Sequence, residues 1–306
     1  MRARARLFAT LRGYFARHGV MEVDTPILAR AAPTDPGVEC LGHSDIGWLQ
    51  TSPEFAMKRL LAAGVGAIYQ ISHVFREDET GRYHQPEFAM LEWYRPGRNY
   101  RQLMDEVEAV LKSVGAPQPT FGRLMYREAF RRHANIDVFE DDVTVIQRRL
   151  ERAGIDLAGE LEPRDAADRD FWLDLAMSTL VAPKLGEEVP CFIYDYPPSQ
   201  AILAEVRSGK HPAALRFELF WRGVELANGF QELTDVAEQR RRFEADLARR
   251  AERGQCCLPV DERFLAALEH GLPQSSGVAL GLDRLLMLLL KLPTVAEAQS
   301  FDSERV

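Results

Sequence analysis

The chain has 306 residues, 46% of them hydrophobic and 27% charged, the balance of a soluble globular protein able to bury one large core. No apolar run reaches the ~18 residues of a membrane span, and the arginine-rich start lacks an apolar signal core, so a cytoplasmic protein is expected. A formal net charge of −8 removes one reason to assume a grip on a large RNA, which normally calls for a basic surface.

Residues 2–18 read as an amphipathic helix. Leu7, Leu11 and Phe15, with neighbouring Phe8 and Tyr14, make its apolar stripe, and arginines lie opposite. Gly19 ends the helix, and the extended VMEVDTP follows, with Pro26 stopping ladder pairing. In residues 49–64 a short strand precedes a helix with Ser52 as N-cap, Pro53 at the first helical position and Glu54 in the first turn. Met57, Leu60 and Leu61 of that helix face the core. A strand over 66–75 then feeds the stretch FREDETGRYHQPEFAMLEWYR (75–95). It begins with an arginine flanked by acids, passes a glycine-containing loop to His84, and runs out in an alternating strand. With a period of two, Ala89, Leu91 and Trp93 share the core face, while Phe88, Met90, Glu92 and Tyr94 share the other. A carboxylate and a phenol on that second face call for something polar lying against them. A helix over roughly 100–113 follows.

Residues 115–122 read as a linker. From there to about residue 190 the pattern predicts a helical insertion, with helices near 123–134, 142–153 and 166–181, and it shows no chemistry. The sheet resumes at CFIYDYP (191–197) and at LRFELFWRGVELANGFQEL (215–233). Arg222-Gly223 is a two-residue hairpin turn that pairs Phe220 with Glu225, which leaves Glu218 one diagonal step from Glu225 on the same face. Two carboxylates so placed repel unless a cation bridges them. Asn228, Phe230 and Glu232 share a face, and bringing Glu225 onto it requires a bulge near Ala227–Gly229. Residues 236–253 form an arginine-rich helix interleaved with acids, the pattern of a solvated face or, secondarily, of a dock for an acidic partner. SSGVALGLDRLLMLLL is a glycine-broken strand entering a hydrophobic helix, and Arg284 adds a positive charge at a helix N-terminus that already favours phosphate. The four cysteines, Cys40, Cys191, Cys256 and Cys257, show no CxxC spacing and read as reduced structural thiols.

Three stretches, MEVDTPIL (21–28), residues 75–95 and GVALGLDR (277–284), resemble motifs 1, 2 and 3 of the class II aminoacyl-tRNA synthetases in their lysine-specific form. They stand in the family's order and cover the chain from end to end. The resemblance implies an α+β fold, an antiparallel sheet flanked by helices, in a single catalytic domain over 1–306 with the helical insertion at about 115–190. It also implies a homodimer built on residues 2–28. Lysyl-tRNA synthetases carry an anticodon-gripping OB-fold ahead of motif 1, and none is expected here, so tRNA is not the expected acceptor.

The same resemblance assigns roles. Arg76 would hold the α-phosphate of ATP and the substrate carboxylate, with Arg284 on the γ-phosphate. Phe88 would stack under adenine, His84 and Gln85 would flank the nucleotide, and Glu77 and Asp78 would meet the base. Glu218 and Glu225 would hold Mg²⁺, Leu226 would lie beside the nucleotide and Gly281 would let the chain pass close to it. Glu92, Tyr94 and Glu232 would receive a lysine-like ε-ammonium. Asn228 and Glu54 would complete the pocket, above the turn made by Ser52 and Pro53. Activation of this kind needs charge neutralised on both reactants and no protein nucleophile.

Three residues depart from the synthetase pattern. Asp78 stands where the family has Glu, which shortens its reach. Ser52 stands where lysyl-tRNA synthetases have Ala, and Ala279 replaces the middle Gly of motif 3. The last two match a ligase branch of the family, whose members place (R)-β-lysine on a lysine of elongation factor P. A truncated lysyl-tRNA synthetase using α-lysine and a non-catalytic regulatory paralogue are the alternatives. Arg76, Glu218, Glu225 and Arg284, all present, speak against the second.

Overall fold

The computed structural model describes residues 1–77, 79–157, 168–256 and 258–305. Their contacts divide the chain into two compact units, Met1–Ala116 with Gly229–Val306, and Pro117–Asn228. Asp78, Cys257 and much of the polar connection before residue 168 lie outside the described residues.

The first unit opens with α1 (Arg2–Arg17), which buries Leu7, Leu11, Tyr14 and Phe15 on one stripe. Phe15 stacks on Tyr69 with centroids 4.4 Å apart and meets Trp93 edge-on at 5.4 Å. Strand β1 (Met21–Glu22) is shorter than its extended sequence suggests. It pairs in parallel with β5, and one further bond, Val23 N to Tyr69 O at 2.9 Å, is made before Pro26. Strands β2 (Leu28–Ala29), β3 (Gly42–His43) and β4 (Gly47–Leu49) form a small antiparallel sheet. Helix α2 (Glu54–Ala62) starts one residue later than predicted, with Pro53 in the cap position. Ser52 still serves that end, because its Oγ accepts from Glu54 N at 3.0 Å. The face it buries carries Met57, Lys58 and Leu61, while Leu60 is only half-buried. Strands β5 (Ile68–Phe75) and β6 (Glu87–Pro96) pair antiparallel from Ile68–Tyr94 to Phe75–Glu87. Helix α3 (Tyr100–Ser113) begins in a reciprocal capping box between Asn99 and Gln102.

The second unit includes β7 (Gly122–Met125), whose first residue falls in the span read as linker and whose other three fall in the span read as helix. Its residues pair in parallel with β8 (Cys191–Tyr196), and this edge pairing outweighs local helix preference. Gly122 suits this pairing, since a Cβ would come 3.1 Å from Cys191 Sγ, a tight contact. The predicted helices follow as α4 (Tyr126–His133), α5 (Val143–Arg152) and α6 (Arg169–Ala176). After β8 come β9 (Val206–Arg207), β10 (Ala213–Trp221) and β11 (Val224–Gln231). Strand β10 runs antiparallel to both β8 and β9. Arg222 and Gly223 both have positive φ, 52° and 76°, the two-residue turn predicted between β10 and β11.

Back in the first unit, α7 (Val236–Glu252), α8 (Glu262–Gly271), β12 (Ser275–Gly281) and α9 (Leu282–Leu290) complete the chain. The arginines of α7 are largely paired internally, Arg240 with Glu262 at 2.7 Å, Arg242 with Glu238 at 2.8 Å and Arg249 with Asp246 at 2.6 Å. Arg250 is fully buried and clamps the 35–39 loop through Asp35 O, Val38 O and Glu39. The fold is α+β as expected, but its pairing is mixed rather than purely antiparallel, because β1–β5 and β7–β8 are joined by connections long enough for parallel crossovers. No helix among the described residues is long and apolar enough to cross a membrane.

The core of the first unit lies under Leu91, Trp93, Val278 and Leu280, against α1, α3 and α9. Asp283, fully buried, ties it together: its Oδ2 accepts from Ala89 N at 2.9 Å and Gln299 Nε2 at 3.1 Å, and its Oδ1 pairs with Arg4 of α1. Asp283→Ala strands a buried N–H and an arginine together. It should lower stability by about 3 kcal/mol, read as a shift in the urea midpoint, while Asp283→Asn, which keeps an acceptor for Ala89 N, should cost less.

Candidate active site

The register of β6 and β12 builds the polar face that the alternation predicted. Ala279 lies opposite Glu92, Gly277 opposite Tyr94 and Gly281 opposite Met90. From the other side, Gln70 lies opposite Glu92 and Ile68 opposite Tyr94. Two large polar side chains therefore stand on a floor of small residues. Gly277 is a steric requirement of this floor: a Cβ there would run into the Tyr94 ring and reach 2.5 Å from Glu232 Oε1.

Over the floor the acids predicted for the amino acid pocket converge. Glu92 is buried and takes two hydrogen bonds, from Ser52 Oγ to its Oε2 and from Tyr94 OH to its Oε1, both at 2.6 Å. Glu232 follows β11, and its backbone N donates to Ser275 O at 3.0 Å. A residue that the sequence reading passed over joins them. Lys58 Nζ sits 2.5 Å from Glu54 Oε1 and 2.5 Å from Glu232 Oε2, with its side chain only 1% exposed. Phe264 of α8 closes the other side, its ring centroid 5.9 Å from Nζ. The signal for Lys58 is a Glu–Lys pair four apart on a helix, Glu54 and Lys58.

Burial dominates the titration of this cluster. It pushes Glu92 up to about 8, with the negative charge of Glu54 adding to the rise and Ser52, Tyr94 and Lys58 opposing it. Glu232 is pushed up to about 7 by burial, and Lys58 is the chief influence holding it down. Burial alone would lower Lys58, but Glu232 and Glu54 outweigh it and hold the ammonium well above its ordinary range. Tyr94 stays a phenol, raised by burial and by Glu92.

The residues predicted to meet a nucleotide line the β5–β6 loop. Arg76 lies over the Phe88 ring at 5.2 Å and reaches Glu79 at 3.3 Å, and its Nε is buried without an acceptor among the described residues. Such a half-paired guanidinium beside an aromatic face suits an anionic nucleotide. His84 closes the loop through paired backbone bonds with Gly81. Gln85 is buried and accepts from Ser303 N at 3.1 Å. Arg284 Nε donates to Tyr83 O at 2.9 Å. Glu77 is exposed, its backbone N bonded to Glu39 O at 3.1 Å, and Asp78 lies outside the described residues.

The second unit holds the predicted metal pair. Glu218 is buried, and Arg216, which went unremarked in the sequence, pairs with its Oε1 while Tyr196 OH donates to its Oε2 at 2.6 Å. Arg216 Nε also donates to Asn228 Oδ1 at 3.2 Å. Burial, against Arg216 and with Glu225, raises Glu218 to about 7. That carboxylate is crowded by like charge, which a divalent ion would relieve, and each oxygen keeps a second lone pair. Among the described residues no three His, Cys, Asp or Glu side chains form a metal cluster. Magnesium here would need phosphate oxygens to fill its shell, which is its usual habit. Along β11 partial exposure falls on Glu225, Asn228 and Phe230, with Leu226 and Ala227 both buried between. The alternation thus slips by one residue where the sequence demanded a bulge.

Comparison with known proteins gives the same frame. The family model for class II tRNA synthetases (D, K and N) matches residues 1–305. A protein of Edwardsiella ictaluri named elongation factor P--(R)-beta-lysine ligase is 46% identical over 99% of this chain and 94% of its own length. One of Pectobacterium atrosepticum with the same name is 43% identical with the same coverage.

A carboxyl whose folded pKa is raised binds its proton more tightly when folded. Its contribution to stability is therefore present at low pH and is lost as pH rises through the folded pKa. The ligand-free protein should lose stability between about pH 5 and pH 8. Glu92→Gln should remove at least about 1 kcal/mol of that dependence, measured as denaturant midpoints across the range. Equal slopes in both proteins would show that Glu92 is ionised in the fold.

Proposed function

The chain belongs to the class II tRNA synthetases (D, K and N), and on that premise we propose that it is an ATP-dependent ligase acting on (R)-β-lysine and elongation factor P. The observation that carries this reading is the buried pocket of Glu92, Tyr94, Glu232, Glu54 and Lys58, whose carboxylates outnumber its cation. A substrate bringing ammonium groups completes the charge, and an unpaired buried charge of either sign is costly. The relatives named above supply the chemical identity.

In this reading the substrate carboxylate attacks the α-phosphorus of ATP and pyrophosphate leaves. The Nζ of the acceptor lysine then attacks the acyl carbon, loses a proton and displaces AMP to form an amide. Arg76 draws the two anionic reactants together, Phe88 supports the base, and His84, Gln85, Glu77 and Asp78 frame the nucleotide. Gly281 leaves room for the nucleotide, and Arg284, whose Nε donates to Tyr83 O, takes the far phosphate. In the second unit Glu218 and Glu225 would hold Mg²⁺, which neutralises phosphate charge, with Leu226 and Asn228 on the same strand.

Ala279 faces Glu92 across the strands, and Ser52 holds the other side of that carboxylate. A methyl on this floor favours a lysine whose amino group is moved one carbon along. One methylene-sized difference is worth about 1–3 kcal/mol, or 10–200-fold in specificity. The test is ATP–pyrophosphate exchange with α-lysine and both β-lysine enantiomers, followed by incubation with elongation factor P or tRNA. Exchange should prefer (R)-β-lysine, Ala279→Gly should raise relative use of α-lysine at least about tenfold, and Glu218→Gln and Glu225→Gln should each slow exchange roughly 10²-fold. Stoichiometric charging of tRNA with α-lysine would replace this reading by the synthetase one.

A homodimer is part of the same proposal. Met21, Ile27 and Leu28 are about half exposed (51%, 44% and 48%), so the segment after α1 presents an apolar strip to solvent. Light scattering at micromolar concentration should give twice the chain mass, and an active monomer would refute the dimer.

A further inference from the structure

We propose that Lys58 is a positioning residue of the amino acid pocket, one that holds Glu54 and Glu232 in place as preformed receptors for the ammonium groups of the substrate. The inference rests on reading this pocket as the lysine site, but it concerns a residue to which no role has been given. Three observations support it. The ammonium bridges two carboxylates that come from different parts of the chain, at 2.5 Å each. It is sealed from water, with α2 beneath it and the Phe264 ring across from it, so it serves no surface purpose. And the charged or titratable groups that act on it among the described residues are Glu54 on α2, Glu92 and Tyr94 on β6, and Glu232, with Lys58 the cation that restrains these acids.

The physical consequence follows from the balance at Glu232. Burial drives that carboxyl towards its neutral form, and Lys58 is the main influence in the other direction. Remove the lysine's charge, and Glu232 takes up a proton at neutral pH and no longer receives a cation. Glu54, released from its partner four residues along, loses its orientation as well. Substrate binding then requires a higher pH, at which the carboxyl ionises again.

The experiment compares wild type, Lys58→Met and Lys58→Arg by pyrophosphate exchange across pH 6 to 9. For Lys58→Met the KM for β-lysine should rise at least tenfold at pH 7, with the KM for ATP within twofold of wild type. The acidic limb of kcat/KM for β-lysine should move up by one unit or more, and Lys58→Arg should restore part of the loss. Equal losses for ATP and lysine with an unmoved limb would overturn the proposal and leave Lys58 as packing alone. If wild type activates no lysine isomer, the pocket reading fails separately. The role at Glu54 and Glu232 is then decided by carbon-13 titration of labelled glutamate carboxyls, where Lys58→Met must raise Glu232. If Lys58→Met does not fold, the same titration in Lys58→Gln, which also removes the charge, and a slowly exchanging lysine ammonium signal in wild type, lost in Lys58→Gln, serve instead. A Glu232 titration unchanged between wild type and variant, or the absence of that signal, refutes the proposal.

Discussion

The pocket depends on one constraint, the burial of more carboxylate than the protein can neutralise from its own side chains. Glu92 and Glu232 are almost wholly out of water, Glu54 lies beside them, and Lys58 is their resident cation. Burial of an unpaired carboxylate is too costly to leave standing, so a ligand-free pocket of this kind must hold a proton or a foreign cation. The raised pKa of Glu92 is the expression of that need. Ammonium binding can then proceed as an exchange, a proton leaving as a cation arrives, which spares the ligand-free fold the full electrostatic load. Ser52 and Tyr94 suit either state, because a hydroxyl can donate to a carboxylate or accept from a carboxylic acid.

This arrangement needs a rigid support, and the sheet supplies it. Glu92 and Tyr94 project from β6 in full register with β5 on one side and β12 on the other. Their opposite numbers on β12 are small, and Gly277 has to be, since any side chain there would displace the ring and the acid that define the pocket. In the proposed reading, selection among lysine isomers then turns on the size of the residues on this floor, with Ala279 opposite Glu92 contributing a methyl.

Much of this was legible in the sequence wherever a local period carried it. The alternation from Phe88 to Tyr94 placed Glu92 and Tyr94 on one face, Arg222-Gly223 gave the hairpin, and the parity conflict between Glu225 and Asn228 announced the slip seen in β11. What was not legible depends on partners far away in the chain. Nothing local marks Lys58 as buried until Glu232 is placed beside it, or Arg216 as a site residue until Glu218 and Asn228 close on it. Most of strand β7 was read as helix because its residues have no strand pattern of their own, and only the edge of β8 makes them one. Single-residue errors at helix ends, such as Pro53 in the cap of α2, are of a different kind, since Ser52 serves the helix terminus in either assignment.

The junction of β12 and α9 shows how an arginine, the one proposed to take a phosphate, can be both fixed and movable. Asp283 and Arg284 are consecutive, yet they act on different parts of the same hairpin. The carboxylate holds the start of β6 through Ala89 N, while the guanidinium holds the loop through Tyr83 O. The last segment of the chain adds further ties to that loop, Arg82 Nε to Pro293 O at 3.1 Å, Val295 N to Arg82 O at 2.9 Å and Ser303 N to Gln85 at 3.1 Å. The bond from Arg284 is made to a carbonyl that an incoming anion can outbid, since a charge-assisted bond to phosphate is the stronger of the two. The bond from Asp283 has no such competitor, because the residue is buried and its partner is backbone. Arg284 can therefore turn to a ligand without loosening the strand that carries Glu92, because the neighbouring aspartate, and not the arginine, holds that strand in place.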